Sequence, residues 1–147
     1  MEQKIHGNTA GIRDSLLKQM QSLYDMEQPT GGFLSRELLE SMAYFTGEIR
    51  REISVYISRG GKIADVSIGD GSTVSMPDMR LVRNIDRLCG VRCIHTHPNG
   101  SGYLSEVDLG TLNSMRLDAM CAVGVREGKP TSLYAAYVGE KDEAGQR

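Results

Sequence analysis

A short segment around residue 95 constrains the fold of this chain more than any other stretch. Residues 91–94 form an apolar run that predicts a buried strand, and a helix-start pattern begins at Ser105. Between them, residues 98–102 are of types that favour turns. The sequence therefore predicts a strand, a loop and a helix in direct succession, with His95 and His97 where the strand ends.

Two of the three histidines in the chain lie in this segment, one residue apart. Because side chains alternate between the two faces of a strand, His95 and His97 are expected on the same face. Two neutral imidazoles and a carboxylate from the following helix make a three-ligand site with an open fourth position. That is the arrangement that a catalytic zinc ion requires.

The spacing of the polar residues in this segment matches a known pattern. After His95-x-His97 come seven residues, then Ser105, two more residues and Asp108. This resembles the JAMM motif of the JAB/MPN metalloprotease family without a gap, and Pro98-Asn99-Gly100 is similar to the RadC branch of that family. The resemblance implies that His95, His97 and Asp108 bind Zn2+ and that Ser105 supports the reacting carbonyl. It also implies a cytidine-deaminase-like three-layer α/β/α fold.

The family resemblance further implies an upstream glutamate as the general base, and the chain offers two candidates. Glu52 is favoured because it begins an alternating segment that is similar to the RadC-type strand starting with the family glutamate. Glu48 remains the alternative if that strand begins earlier. A structural role is also open for Glu52, as a carboxylate at the strand edge paired with Arg50 or Arg51.

Each of the other site residues has a simpler interpretation when it is taken alone. A serine followed three residues later by an acid is a common helix-capping arrangement, which suits Ser105 and Asp108. Single histidines are commonly surface or core residues hydrogen-bonded to the backbone. The joint spacing of the four residues, rather than any one of them, favours a metal site.

Hydrophobic periodicity along the rest of the chain predicts an α/β fold. Helical spacing is found over residues 12–25 and from Ser35 to about Gly47, and residues 105–118 follow the metal loop as a third helix. Strands are predicted at residues 52–58, 62–68, 72–76, 91–95, 119–126 and 132–138, while residues 79–88 are ambiguous but fit a helix. We expect a single domain over residues 1–147 with a mixed sheet of five or six strands, a helical N-terminal extension at 1–34 and a loose tail at 139–147.

Composition and charge exclude several classes of protein. The 17 basic and 19 acidic residues nearly cancel, so no strong attraction to nucleic acid or to a membrane surface is expected. No apolar run is long enough for a transmembrane helix, and the N-terminus lacks a signal-peptide core, which favours the cytoplasm. Three cysteines do not suggest a disulfide framework, and Cys93 and Cys121 are predicted to be small buried residues in strands.

A second resemblance extends over most of the chain. Residues 7–12, 51–69, 91–97 and 115–119 are similar to the N-terminal region of long bacterial HflX-type GTPases, in which a GTP-binding domain follows. Those proteins associate with the large ribosomal subunit, so the resemblance implies the ribosome as a partner through an associated GTPase domain. This chain has no Gly-x4-Gly-Lys-Ser/Thr loop, and no GTPase activity is expected from it alone.

Two functional hypotheses follow. The first is a zinc-dependent hydrolase that cleaves amide or isopeptide bonds in a protein or peptide substrate, with Glu52 and Ser105 as catalytic residues. The second is a non-catalytic, metal-binding interaction module of an HflX-type ribosome-associated GTPase. Cytidine-deaminase chemistry fits poorly, because neither its Cys-x-x-Cys nor its His-x-Glu motif occurs here.

Overall fold

A computed structural model describes residues 4–28, 34–58, 60–69, 91–100 and 119–137, together with Leu104 and Gly110. The predictions for residues 72–76, 79–88, 105–118 and 139–147 lie outside the described residues, as do Ser105 and Asp108. The described strands are β1 (Ile5–Gly7), β2 (Ile53–Ile57), β3 (Ile63–Ile68), β4 (Arg92–His97), β5 (Ala119–Arg126) and β6 (Lys129–Tyr137). The helices are α1 (Asp14–Gln21), a short 3-10 helix (Ser22–Asp25) and α2 (Arg36–Ile49).

All six described strands belong to one mixed sheet in the order β1-β3-β2-β4-β5-β6. The short β1 runs parallel to β3, and β2 pairs antiparallel with both β3 and β4. β4 runs parallel to β5, which pairs antiparallel with β6. This confirms the predicted α/β class and the predicted mixed sheet of five or six strands.

Alternation along β2 distinguishes two faces of the sheet, called here the apolar face and the polar face. The polar face carries the buried polar side chains, but it also holds a small hydrophobic cluster of Tyr56, Val91, Cys93 and Met120. Ile53, Val55 and Ile57 are fully buried on the apolar face, where they pack against α1, the 3-10 helix and α2. The large helix residues of this core are Leu16, Met20, Leu23, Leu38, Met42 and Phe45. Each large aliphatic side chain buried in this way contributes about 1.5–3 kcal/mol, so this face supplies much of the hydrophobic stabilisation of the described part of the chain.

The polar face carries side chains that need hydrogen-bond partners because they are buried. The Ser54 hydroxyl lies 3.3 Å from the Cys93 thiol, and the Ser67 hydroxyl donates to Asp65 Oδ2 at 2.7 Å. His6 Nδ1 of β1 lies 2.7 Å from Asp65 Oδ1. Burial raises the pKa of the Tyr56 phenol above its ordinary value, and the neighbouring Cys93 thiol adds to the effect.

Within the described residues, the two predicted helices lie where they were expected, although not every boundary agrees. The helix predicted to start near Ser35 is α2, and Ser35 caps it, since its hydroxyl accepts a hydrogen bond from Leu38 N at 3.1 Å. The helix runs two residues past the predicted end at about Gly47, to Ile49, and Arg50 ends it in the left-handed conformation, at φ 56°. Gly47 is instead the place where α2 meets the β5–β6 turn, as a Cβ there would lie 2.5 Å from Gly128 Cα.

Three features near the ends of the predicted elements also differ. The single helix expected over residues 12–25 is α1 followed by a tighter 3-10 turn. The three-residue β1 was not predicted, because so short a segment shows no periodicity. The β5–β6 connection is a turn at Glu127 and Gly128, both with positive φ, so β6 begins at Lys129 rather than at residue 132. Both described cysteines, Cys93 in β4 and Cys121 in β5, are buried and free, as predicted.

In the described part of the chain, no helix combines the length and the apolar character needed to cross a bilayer.

Candidate metal and catalytic site

The two histidines of the His-x-His segment lie side by side on the polar face of β4. His95 is paired with Ser54 of β2 and Ala122 of β5, and His97 is paired with Gly124 of β5. The imidazole ring centres are 4.8 Å apart and the rings are tilted by 57°. His95 is 5% exposed, and the His97 side chain is 16% exposed, so the pair lies at the margin of the buried sheet.

The register between β2 and β4 brings Glu52 to the same place. Ser54 lies opposite His95. Because the strands are antiparallel, the residue two positions before Ser54, Glu52, lies opposite the residue two positions after His95, His97. Glu52 Oε1 lies 3.9 Å from His97 Nε2, and the Glu52 side chain is only 12% exposed. A carboxylate and two imidazoles therefore meet on one face of the sheet, although they come from segments far apart in the chain.

The alternative base Glu48 lies elsewhere. It is an exposed residue of α2, and its carboxylate accepts a hydrogen bond from the Tyr44 hydroxyl at 3.1 Å on the helix surface. Arg51, which offered Glu52 a structural role, donates instead to the carbonyls of Asn8 and Ala10 at 2.9 and 2.7 Å.

Thr96, the residue between the two histidines, was not predicted to matter. Its side chain lies on the apolar face, where its Oγ1 accepts a hydrogen bond from Ile53 N at 2.9 Å and lies 2.6 Å from Thr46 Oγ1 of α2. A sequence signal for this role existed: alternation places Thr96 among core residues, and a buried hydroxyl needs a partner.

The loop after His97 lies against the ends of β5 and β6. Gly100 has φ 84°, and its carbonyl accepts a hydrogen bond from the Thr131 hydroxyl at 3.2 Å. The backbone passes so close to the sheet that a Cβ on Gly124 would lie 2.5 Å from Gly100 O. The loop is thus held to one side, over β5 and β6, while Glu52 approaches His97 from the β2 side.

The separation of the two imidazole rings is compatible with a shared metal ion. Two imidazoles that bind one tetrahedral zinc through bonds of about 2.1 Å have ring centres about 5 Å apart, close to the observed 4.8 Å. Within the described residues, no group of three or more His, Cys, Asp or Glu side chains is close enough to hold a metal ion. The third predicted ligand, Asp108, lies outside those residues.

Comparisons of the chain with models of protein families, with curated protein sequences and with solved structures found no match.

Proposed function

We propose that this protein is a zinc-dependent hydrolase of amide or isopeptide bonds, with a protein or peptide as substrate. The observation that carries the proposal is the Glu52 carboxylate, 3.9 Å from His97 Nε2 beside a pair of adjacent imidazoles. His95, His97 and Asp108 would hold the zinc ion, the last of them on the strength of the motif spacing. The cytoplasm is the proposed compartment.

Each residue has a defined task in this proposal. Glu52, on the polar face and mostly shielded from solvent, takes a proton from the attacking water and returns it to the leaving amine. Ser105 donates a hydrogen bond to the oxyanion that develops on the carbonyl. A bound zinc ion supplies Lewis acidity, which lowers the pKa of water toward about 7 and polarises a carbonyl.

The proposal extends to the fold. In a JAB/MPN-type α/β/α arrangement, α1 and α2 form one helical layer on the apolar face of the sheet. The helix predicted over residues 105–118 would contribute to the other layer, on the side of the histidines. This would bring Asp108 and Ser105 to the same face as Glu52.

The decisive test separates metal binding from proton transfer. Glu52→Gln should keep about one zinc per chain by elemental analysis, because Glu52 is not proposed as a ligand. It should lower the hydrolysis of isopeptide-linked peptides by at least ~100-fold, the scale of a lost general base. His97→Ala should lose the zinc as well as the activity.

Glu48→Gln is the matched control, because it makes the same chemical change on the exposed surface of α2. It should leave both zinc content and turnover unchanged. Loss of zinc from Glu52→Gln would show that Glu52 is a ligand, and loss of activity in Glu48→Gln would move the base to the helix. A wild-type protein purified with zinc in the medium but without bound zinc would overturn the proposal.

A second candidate is a metal-binding interaction module of an HflX-type ribosome-associated GTPase. Two of the segments that carry this resemblance contact each other, because Arg51 donates to the carbonyls of Asn8 and Ala10. Co-sedimentation with large ribosomal subunits, unchanged by Glu52→Gln and without hydrolysis by the wild type, would favour this candidate. Hydrolysis that depends on Glu52, without co-sedimentation, would exclude it.

A further inference from the structure

The hydroxyl of Thr96 occupies an unusual place in the sheet. Thr96 is fully buried, and alternation directs its side chain away from the two histidines that flank it. On the apolar face it accepts a hydrogen bond from Ile53 N at 2.9 Å, and its Oγ1 is also 3.4 Å from Ile53 O. Thr96, which lies between the two candidate ligands, is therefore hydrogen-bonded to Ile53, which follows the candidate base Glu52.

This contact falls where the backbone pairing of β2 with β4 stops. The paired residues run from Ile57 with Arg92 to Ser54 with His95. At the next position, the amide of Ile53 donates a hydrogen bond to the Thr96 side chain of β4. The Thr96 hydroxyl thus joins β4 to β2 at the residue next to Glu52.

A second contact holds the hydroxyl in place from the other side. Thr46 Oγ1 of α2 lies 2.6 Å from Thr96 Oγ1, and Thr46 is also fully buried. A hydroxyl offers one donor and two acceptor positions, so Thr96 can accept from Ile53 and still bond to Thr46. Helix α2, β2 and β4 are therefore joined at one buried point behind the candidate site.

We infer that Thr96 is a positioning residue, which sets the Glu52 carboxylate against the His95–His97 pair through its hydrogen bond to the Ile53 amide. The expected effect on turnover rests on the proposed hydrolase function, whereas the expected effect on the position of Glu52 relative to His97 does not. A shift of about 1 Å in a reacting group can cost ~100-fold in rate, so a hydroxyl that never touches substrate still controls turnover.

Two variants of Thr96 test this. Thr96→Val keeps the shape of the side chain but removes the hydroxyl, and it should lower kcat at least ~10-fold while KM and zinc content stay within about twofold of wild type. Thr96→Ser keeps the hydroxyl and should restore kcat to within about threefold of wild type. A valine variant with normal kcat, or a serine variant as impaired as valine, would overturn the inference.

Tyr24→Phe is a control for the mere loss of a buried hydroxyl. The Tyr24 hydroxyl also accepts a backbone N–H in the same sheet, from Val66 at 3.0 Å, but on β3 and away from the histidines. This variant should lose stability and keep wild-type kcat. A fall in kcat equal to that of Thr96→Val would show that the effect is general loosening of the sheet, contrary to the inference.

Crystal structures of the variants give a measure that does not depend on activity. The distance from Glu52 Oε1 to His97 Nε2, 3.9 Å here, should lengthen in Thr96→Val and stay the same in Thr96→Ser. An unchanged distance in the valine variant would refute the positioning role. If Thr96→Val does not fold, Thr46→Val, which removes only the outer partner, should show the same change in smaller degree, and an unchanged distance there would equally refute it. If the wild-type protein hydrolyses no substrate, the proposed function is wrong. The distance from Glu52 Oε1 to His97 Nε2 in the variants then still tests the positioning role of Thr96.

Discussion

The candidate site depends on a glycine, Gly124, which leaves room for the neighbouring loop because it has no Cβ. Gly124 is the partner of His97 in the β4–β5 pairing, and the loop that follows His97 crosses directly over it. A Cβ at this position would lie 2.5 Å from Gly100 O and 2.6 Å from Ser132 Oγ. Only glycine allows the loop backbone to lie this close to β5.

Replacing Gly124 with alanine should therefore destabilise the protein. We expect Gly124→Ala to lower the free energy of unfolding by about 1–3 kcal/mol, the usual cost of inserting atoms into a filled space. Gly60→Ala is the control, because a Cβ at Gly60 would meet no atom within 4 Å. Urea unfolding at neutral pH measures both, and equal midpoints for the two variants would contradict the close approach.

At the scale of elements, α2 shows how a tertiary contact overrides a local preference. Gly47 would normally weaken a helix, and a glycine late in a helical pattern also suggests its end. Here the helix continues past Gly47, and at this residue it lies against Gly128 in the β5–β6 turn. Because Gly47 has no side chain, α2 can lie close to the end of the sheet that carries the loop of the candidate site.

This contact reverses the usual effect of a glycine-to-alanine change in a helix. Such a change ordinarily stabilises by about 1 kcal/mol, but a Cβ on Gly47 would lie 2.5 Å from Gly128 Cα. Gly47→Ala should therefore lower the free energy of unfolding by about 1 kcal/mol or more, the scale of overpacking. Ser41→Ala, at a half-buried position of the same helix, should change it little. A more stable Gly47→Ala protein, by urea unfolding, would show that this contact does not exist in solution.

The strands that the sequence predicted best are those whose pattern reflects a difference between two faces. The alternation of β2 placed Ile53, Val55 and Ile57 on one face, and all three are fully buried. β1 was missed because it is three residues long and takes its place only by pairing with β3, about sixty residues later in the chain. Strand pairing of this kind is invisible to any local window.

At the scale of the whole molecule, the two faces of the sheet carry different kinds of residues. Its apolar face packs on α1, the 3-10 helix and α2, and its polar face carries the histidines and Glu52. Tyr24 connects the N-terminal segment to the sheet. Its hydroxyl accepts a hydrogen bond from the Val66 amide of β3 and donates one to the Lys4 carbonyl before β1. Burial raises the pKa of Tyr24 to about 12, although the hydrogen bond from Val66 opposes the shift.

The raised pKa predicts a specific alkaline loss of stability. Because the pKa of Tyr24 is higher in the folded state than its ordinary value of 10.0, its contribution is complete below pH 10 and is lost as pH rises toward about 12. Tyr24→Phe should lose about 1–3 kcal/mol at pH 7, since it leaves the Val66 amide without an acceptor. The difference between the two proteins should shrink above pH 10.

Urea unfolding of both proteins at pH 7, 10 and 11 measures this difference. Other buried groups with raised pKa values, such as Tyr56 and the Cys121 thiol, titrate in both proteins and cancel in the comparison. A difference in stability that stays constant across this range would show that Tyr24 does not ionise on unfolding as expected.

Local pattern in the amino-acid sequence was enough to predict the α/β class, the alternation of β2, the start of α2 near Ser35 and the shared face of His95 and His97. These features depend on the geometry of a few consecutive residues, which every strand and helix obeys. From the sequence, Glu48 and Glu52 remained alternatives and no role was predicted for Thr96, although alternation marks it as a core position. Their places follow from the register of β2 on β4 and from the packing of α2, which place Glu52 beside His97, Glu48 on the helix surface and Thr96 against Ile53. Only the tertiary structure decides such matters, because contacts of 3 to 4 Å between distant segments depend on how the whole sheet is assembled.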